Sequence, residues 1–421
     1  MRYIADFHIH SKYSRATSRD MDLEHIGEGA KIKGIQIVGT GDFTHPEWLN
    51  EIKNKLEPAE KGLFKLKNSD SSVRFILSSE ISCIYSKKNK VRKIHNVLFA
   101  PNIESVEKFN TQLGWVGNLK SDGRPILGID AKELVKIALN VSKDFFIVPA
   151  HIWTPWFSLF GSKSGFDSLE DCFEEYSDNI FALETGLSSD PAMNWMVSSL
   201  DKYTLISNSD AHSPAKLGRE ANIFEGSEID YFKIIEAIKK GGKENELPLE
   251  MKATIEFFPE EGKYHYDGHR ICNVCLEPKE TKKLKGICPK CGRPLTVGVL
   301  YRVTELADRE QGFKPENSLP FYNLVPLEEI IADSLGLTTI SQRVKNEYDI
   351  LIKNFNNEFS VLLDIPEQDL IEKTDHRIAK GIISARQGKV VKEPGYDGVF
   401  GKIKVSSNNE KKKTKKQENL F

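Results

Sequence analysis

Asp6-Phe7-His8-Ile9-His10 decides how the first half of this chain is read. Residues 4–9 alternate apolar and polar, which is the period of a strand. His8 and His10 stand two apart, so in a strand their side chains fall on one face. Two imidazoles aimed at one point from the end of a first strand make half a metal site. A single pair of this kind carries little weight, and the rest of the chain must supply the other half.

Outward from that stretch, segments rich in Ile, Val and Leu alternate with helical patterns. Residues 23–33 read as a helix, with Asp22 as N-cap and Gly34 as the stop. Ile35-Gln36-Ile37-Val38 follows as a short buried strand. Residues 73–77, 95–99, 145–149, 180–183 and 204–207 read as further strands. Residues 130–140, 168–176, 191–200 and 229–239 read as helices between them. This repetition predicts an α/β fold with a parallel sheet, most simply a barrel, whose chemistry sits where strands end.

The residues at those ends carry the functional reading. His8 and His10 follow the first strand, Asp42 and His45 the second, and Glu80 the third. His95 opens the next, His151 follows Ile147-Val148-Pro149-Ala150, Glu184 closes another, and Asp210 and His212 end the last. Six of the ten histidines thus fall at strand ends beside four carboxylates. Mixed imidazole and carboxylate ligands suit zinc, manganese or iron in a multinuclear hydrolytic site.

After His151 comes a loop, residues 153–166, in which Trp153, Trp156, Phe157, Phe160 and Phe166 accompany Lys163. Pro, Gly and Ser deny it a regular element. Its aromatics serve either as a satellite core or as a stacking platform for a nucleobase beside the metals. Asp167, Ser168 and Glu170 either cap the next helix or meet a base edge.

The chain has 421 residues, 39% hydrophobic and 10% aromatic, enough for two or three domains. Lys+Arg 59 against Asp+Glu 61 leaves a formal charge of −2, so any surface for nucleic acid must be local. The start of the chain does not read as a signal peptide. No apolar run reaches the ~18 residues of a membrane span, which predicts a soluble, intracellular, nucleoid-associated protein. Of six cysteines, Cys272, Cys275, Cys288 and Cys291 form two Cys-x-x-Cys pairs. In an intracellular chain this predicts one structural zinc held by four thiolates. Lys279, Lys282, Lys283, Lys285, Lys290 and Arg293 crowd the same module and offer a surface for phosphates.

Residues 303–405 read as a mainly helical domain that grips duplex DNA. Its helices are expected at 326–335, 341–354 and 368–387, with a strand or short helix at 360–363 and a turn at 394–398. No Walker A pattern is present, which argues against ATP hydrolysis. Residues 406–421 are polar and Lys-rich and read as disordered. They end in Gln417, Leu420 and Phe421, spaced like the start of a sliding-clamp-binding box.

The series Asp6-x-His8-x-His10-Ser11, Glu80, His95, His151 and Asp210-x-His212 resembles the polymerase-and-histidinol-phosphatase (PHP) family over residues 1–240. That resemblance implies a PHP-type (β/α) barrel with two or three divalent metals, Zn2+, Mn2+ or Mg2+. One ion would be held by His8, His10, Glu80 and Asp210. A second would share Glu80 and add His95 and His151, and a third would use His45 and His212, completed by Asp42, water or substrate phosphate. His8, His10, Glu80, Asp210 and His212 would carry the catalysis. Two departures touch the third site. Ala16 stands where the family has a further ligand, and the Asp-His pair is split as Asp42-Phe43-Thr44-His45.

The order of a barrel (1–250), a four-Cys ribbon (251–302), a helical domain (303–405) and a basic tail (406–421) resembles the endonuclease Q family. The resemblance implies nicking of DNA 5′ of deaminated bases (uracil, hypoxanthine, xanthine) and of abasic sites. It leaves a 3′-hydroxyl and a 5′-phosphate. A deaminated base pairs poorly, so flipping it out of the stack costs less. Two other readings are a small-molecule phosphomonoesterase like histidinol-phosphate phosphatase, and a non-catalytic DNA-binding module.

Overall fold

The computed structural model describes residues 1–242 and 247–405. A ring of strands runs in chain order through β1 (Arg2–Asp6), β2 (Ile37–Gly39), β3 (Arg74–Lys87), β4 (Lys90–Ala100), β5 (Phe146–Pro149), β6 (Ala182–Glu184) and β7 (Thr204–Ile206). β1, β2 and β3 are parallel, as are β6 and β7. β4 is antiparallel to both its neighbours, so the sheet is mixed where a wholly parallel one was expected. The cause is local. Lys88 and Asn89, between β3 and β4, both have positive φ (50° and 58°), the signature of a tight hairpin turn.

Single contacts complete the ring. Ile152 N donates to Glu184 O (3.1 Å), linking β5 to β6. His10 N donates to Ala211 O (3.0 Å), joining the end of β1 to the end of β7. Two more strands, β8 (Ala221–Gly226) and β9 (Leu249–Glu256), extend the sheet antiparallel from β1. β9 therefore carries the barrel's sheet past residue 250.

Strand alternation separates two buried clusters. Tyr3, Ala5 and Phe7 pack with Phe99, Phe146 and the helix Tyr231–Lys240. Ile4 and Ile9 pack with Ile26 and Ala30 of the helix Leu23–Lys33. Asp22 caps that helix by accepting from His25 N, and Gly34 ends it at φ 88°.

The ribbon is a hairpin, Asp267–His269 with Val274–Leu276, followed by a knuckle in which Cys288 N donates to Arg293 O (2.8 Å). Helices Leu327–Leu335, Gln342–Phe355, Glu367–Lys373 and His376–Arg386 follow. The run expected as one helix over 368–387 is broken, because Asp375 accepts from Arg377 N and caps a new start. Residues 360–363, expected as a strand or short helix, form a π-helical turn, Ser360–Asp364. These helices dock on the barrel through a buried ion pair, Lys33 Nζ to Glu358 Oε2 (2.5 Å). Tyr348 Oη donates to the same oxygen (2.7 Å).

The segment around the expected turn braces the ribbon. Asp397 accepts from Arg270 N (2.7 Å) and Thr296 Oγ1 (2.6 Å). The basic run of the tail and the candidate clamp box at Gln417, Leu420 and Phe421 lie outside the described residues. Among the described residues, no helix is long and apolar enough to cross a membrane.

Candidate metal centre

Glu80 is the hub. It lies within β3, where register pairs it with Val97, and His95 pairs with Ser82 two positions on. Glu80 and His95 are therefore not at strand ends, as expected. They share one face of an extended hairpin. Glu80 Oε1 lies 2.6 Å from His95 Nδ1 and 3.0 Å from His151 Nε2. Its Oε2 lies 3.2 Å from His10 Nε2 and 3.5 Å from His8 Nε2. Asp210 Oδ1 is 3.0 Å from His10 Nε2 and 3.8 Å from His8 Nε2. One carboxylate thus joins two ligand groups, His8–His10–Glu80–Asp210 and Glu80–His95–His151, in each of which all donor atoms lie within 4.8 Å of one another.

His8 Nε2, His10 Nε2 and Asp210 Oδ1 are buried and make no hydrogen bond. Buried polar atoms left without partners are costly unless something else satisfies them. Donors of this kind, aimed together, fit a divalent cation.

The remaining imidazole nitrogens are spoken for. His8 Nδ1 lies 3.0 Å from both oxygens of Glu184, and His10 Nδ1 3.0 Å from Asp42 Oδ1. A proton on Nδ1 leaves the Nε2 lone pair free, which is the arrangement metal-bound histidines use. Glu184 also accepts from His151 N (2.8 Å) and Asn208 Nδ2 (2.9 Å). Backbone strain gathers here too: Asp42, His151 and Asp210 have φ of 49°, 31° and 48°. A Cβ on Gly123 would stand 2.3 Å from Asp42 Oδ2, so only glycine lets that loop close.

Burial presses His8 and His10 down, but Glu184 and Glu80 at His8, and Asp42 at His10, outweigh it. Both end well above the ordinary value. Burial pushes Glu80 and Asp210 up. His95, Arg124 and His8 at Glu80, and His10 and His8 at Asp210, hold them below. Burial takes His95 to about 4 against the pull of Glu80. Near neutral pH both acids are therefore carboxylates and His95 is neutral, the forms ligation needs, whereas His8 and His10 without an ion carry a proton on Nε2 that a bound cation would displace.

Among the described residues His45, His212 and Asp42 do not gather into one group of protein ligands, and His45 Nδ1 is buried without a hydrogen-bond partner. Asp42 is consumed by His10 Nδ1, Ser11 N (2.6 Å), Ser11 Oγ (2.6 Å) and Ser14 Oγ (2.8 Å), so it orients a ligand rather than being one. His45 stacks on Tyr13, with ring centroids 4.4 Å apart. His212 lies 4.6 Å from the His10 ring, and its Nδ1 donates to Asp210 O (2.8 Å). Among the described residues these three join no cluster of three ligands. Arg124, whose Nη1 donates to Glu80 Oε2 (3.0 Å), had no signal in the sequence.

The aromatic loop divides. Trp153, Phe160 and Phe166 are buried, Trp153 against Phe160 and Phe166 under the Arg92 guanidinium. They are core, not a platform. Ser168 caps the next helix, and Asp167 pairs with Arg302. Trp156, 43% exposed, and Phe157 line an apolar cleft of about 630 Å³ with Tyr264, Lys263, Arg219 and Phe400. Phe157 also contacts His95 (4.9 Å), so this cleft opens beside the ligands. Lys163 is exposed on the same loop.

In the ribbon the gathered set is His269, Cys272, Cys288 and Cys291. Cys275 is not among them. Register pairs it with Gly268 and pairs His269 with Val274, which turns Cys275 to the other face of the hairpin, where its sulfur meets Pro394 O (4.0 Å). His269 takes its place, with Nδ1 3.3 Å from Cys291 Sγ.

A family model described as the MJ0043 C-terminal domain matches residues 326–389. An uncharacterized protein of Methanocaldococcus jannaschii is 36% identical over 260 residues, 60% of this chain, which thus spans only 31% of that relative. An uncharacterized Bacillus subtilis protein is 29% identical over 418 residues, covering 95% of this chain and 98% of that protein. The crystal structure of the lesion-specific endonuclease Q from Pyrococcus furiosus superposes with a TM-score of 0.85 at 35% identity, over 97% of this chain and 96% of that one. Endonuclease Q in complex with a 27-mer duplex carrying an abasic lesion at the active site superposes at 0.83, with 34% identity and 97% coverage of both chains.

Proposed function

This chain belongs to the endonuclease Q family, and from that premise we propose that it is a metal-dependent DNA repair endonuclease. It hydrolyses the phosphodiester 5′ of deaminated bases (uracil, hypoxanthine, xanthine) and of abasic sites in duplex DNA. The observation that carries the reading is the convergence of buried, unpartnered His8 Nε2, His10 Nε2 and Asp210 Oδ1 on Glu80. A relative crystallised with an abasic duplex supports the choice of substrate.

Divalent ions held by His8, His10, Glu80 and Asp210, and by Glu80, His95 and His151, would supply an acidic water and offset charge on phosphoryl oxygens. The chain's own residues do the rest. Glu184 and Asp42 fix the tautomers and ring planes of His8 and His10. His212, its Nδ1 proton committed to Asp210 O, keeps Nε2 as a neutral acceptor at the mouth of the site. Burial holds His212 below its ordinary value, so it stays neutral at physiological pH. Trp156 and Phe157 offer the flipped nucleotide a stacking surface in the adjoining cleft. The exposed lysines of the ribbon meet flanking phosphates. The ribbon's own ion, held by three thiolates and His269, fills its coordination sphere and is structural.

The test is incubation of the full chain with duplexes holding one uracil, hypoxanthine or abasic site, with Mg2+, Mn2+ or Zn2+. The expected product is a single nick 5′ of the lesion with a 3′-hydroxyl. Intact lesion duplexes under every metal would remove the reading.

A further inference from the structure

The geometry points to Arg124 as a catalytic residue that grips the scissile phosphate, and we propose that role for it. This deepens the reading above and rests on it. The Arg124 Nη1 donates to Glu80 Oε2 (3.0 Å), on the side of Glu80 that faces His8, His10 and Asp210. An arginine carries five N–H donors. Among the described residues the guanidinium has no other hydrogen-bond partner, and its side chain is 26% exposed. The remaining donors are therefore unengaged, on a side chain that solvent reaches beside the carboxylate shared by both ligand groups.

The loop that carries Arg124 is fixed from several sides. Gly123 N donates to Tyr13 O (3.0 Å), Arg124 N to Asp122 Oδ1 (3.2 Å) and Ser82 N to Pro125 O (3.0 Å). Gly123 also stands too close to Asp42 and Ser14 for any side chain. These anchors place a planar, permanently charged fork at one distance from Glu80. A cation next to cation ligands is unfavourable unless an anion enters between them. The anion this reaction supplies is the phosphodiester, which matches a guanidinium in charge and geometry.

In the hydrolysis the water oxygen bonds to phosphorus and the P–O3′ bond breaks with its electron pair on O3′. One water proton passes to O3′ and the other remains on the new phosphate or leaves to solvent. Charge on the non-bridging oxygens persists throughout, and Arg124 donates to one of them.

The experiment compares wild type with Arg124→Gln and Arg124→Lys on a lesion duplex and on bis(4-nitrophenyl) phosphate, with Mn2+. Removing one such donor should lower kcat about 100-fold to 1,000-fold. KM should move by no more than about threefold, and Lys should recover about tenfold of the loss by restoring charge while staying about tenfold or more below wild type. Metal per chain, measured by mass spectrometry, should equal wild type. A scissile phosphorothioate in its two diastereomers adds a readout that a merely structural role would leave alone. Wild type should distinguish them, and Arg124→Gln should distinguish them less.

Unchanged kcat in Arg124→Gln overturns the inference. So does a loss of bound metal that matches the loss of rate, since Arg124 would then only position Glu80. If Arg124→Gln melts early by circular dichroism, Arg124→Lys decides, and wild-type kcat and diastereomer preference there overturn it as well. If wild type cleaves the small diester and no lesion duplex, the proposed substrate fails, and the Arg124 variants still decide this inference on the small diester.

Discussion

The larger group of the barrel centre and the ribbon each gather four candidate ligands, by opposite means. The barrel draws His8, His10, Glu80 and Asp210 from parts of the sheet far apart in sequence, buries all but Asp210, and backs two of them with Glu184 and Asp42. The ribbon draws His269, Cys272, Cys288 and Cys291 from one short stretch, leaves Cys291 exposed, and has only Val274, Cys288 and Leu295 as a core. In the barrel, packing of the strands fixes the donors, so an ion adds chemistry to a finished fold. In the ribbon so little apolar surface is buried that ligation must be part of folding.

The largest expected effect separates the two at once. Asp210→Ala or His10→Ala should cost nicking about a thousandfold, on the scale of several kcal/mol of transition-state stabilisation, with an unchanged melting curve. Retained nicking would break the barrel half of the comparison. Asp42→Asn, which leaves every proposed ligand in place, should cost about 10-fold to 100-fold in rate or metal affinity, read by kinetics and metal titration.

On the ribbon, Cys288→Ser should expose its loops to limited proteolysis and weaken duplex binding. Hydrolysis of a small diester should stay within about threefold of wild type, because ligation there supports folding alone. His269→Ala should behave like Cys288→Ser and lose one zinc per chain by mass spectrometry, whereas Cys275→Ser should lose none. The reverse result would restore the four-cysteine site.

The smallest effect probes the acids under the barrel. Burial raises Glu256 to about 8 from its ordinary 4.5, where it accepts from the Thr185 and Thr254 hydroxyls. The folded chain therefore binds a proton there that the unfolded chain has released, and stability falls as pH rises from about 4.5 through about 8. Glu256→Gln should flatten that slope in chemical denaturation. An unchanged slope would show that the site titrates elsewhere.

Much of this was legible in the residues. The period of residues 4–9, the capped helix at 23–33 and the acid and imidazole ends of the strands foretold the ring and most of the side chains that gather in it. What escaped depends on register and on long-range packing. Glu80 and His95 meet because Lys88 and Asn89 turn a hairpin, which moves both into mid-strand. Cys275 satisfies the spacing of a knuckle, yet alternation turns it away, and of the two nearby histidines the sequence offers, His265 and His269, pairing selects His269. Trp153, Phe160 and Phe166 match Trp156 and Phe157 in composition, and burial alone tells the core from the cleft. Arg124 sits in an irregular loop whose sequence has no period to read.

The ring closes where Ile9 meets Ala211, between the histidine pair of the first strand and the Asp210–His212 pair of the last. During synthesis, a ribosome must therefore have released more than 200 residues before the two ends of the centre can meet. Until then the growing polypeptide lacks the complete centre, and a product cut short before Asp210 never gains it. For a DNA endonuclease, the order of its own strands acts as a safety catch.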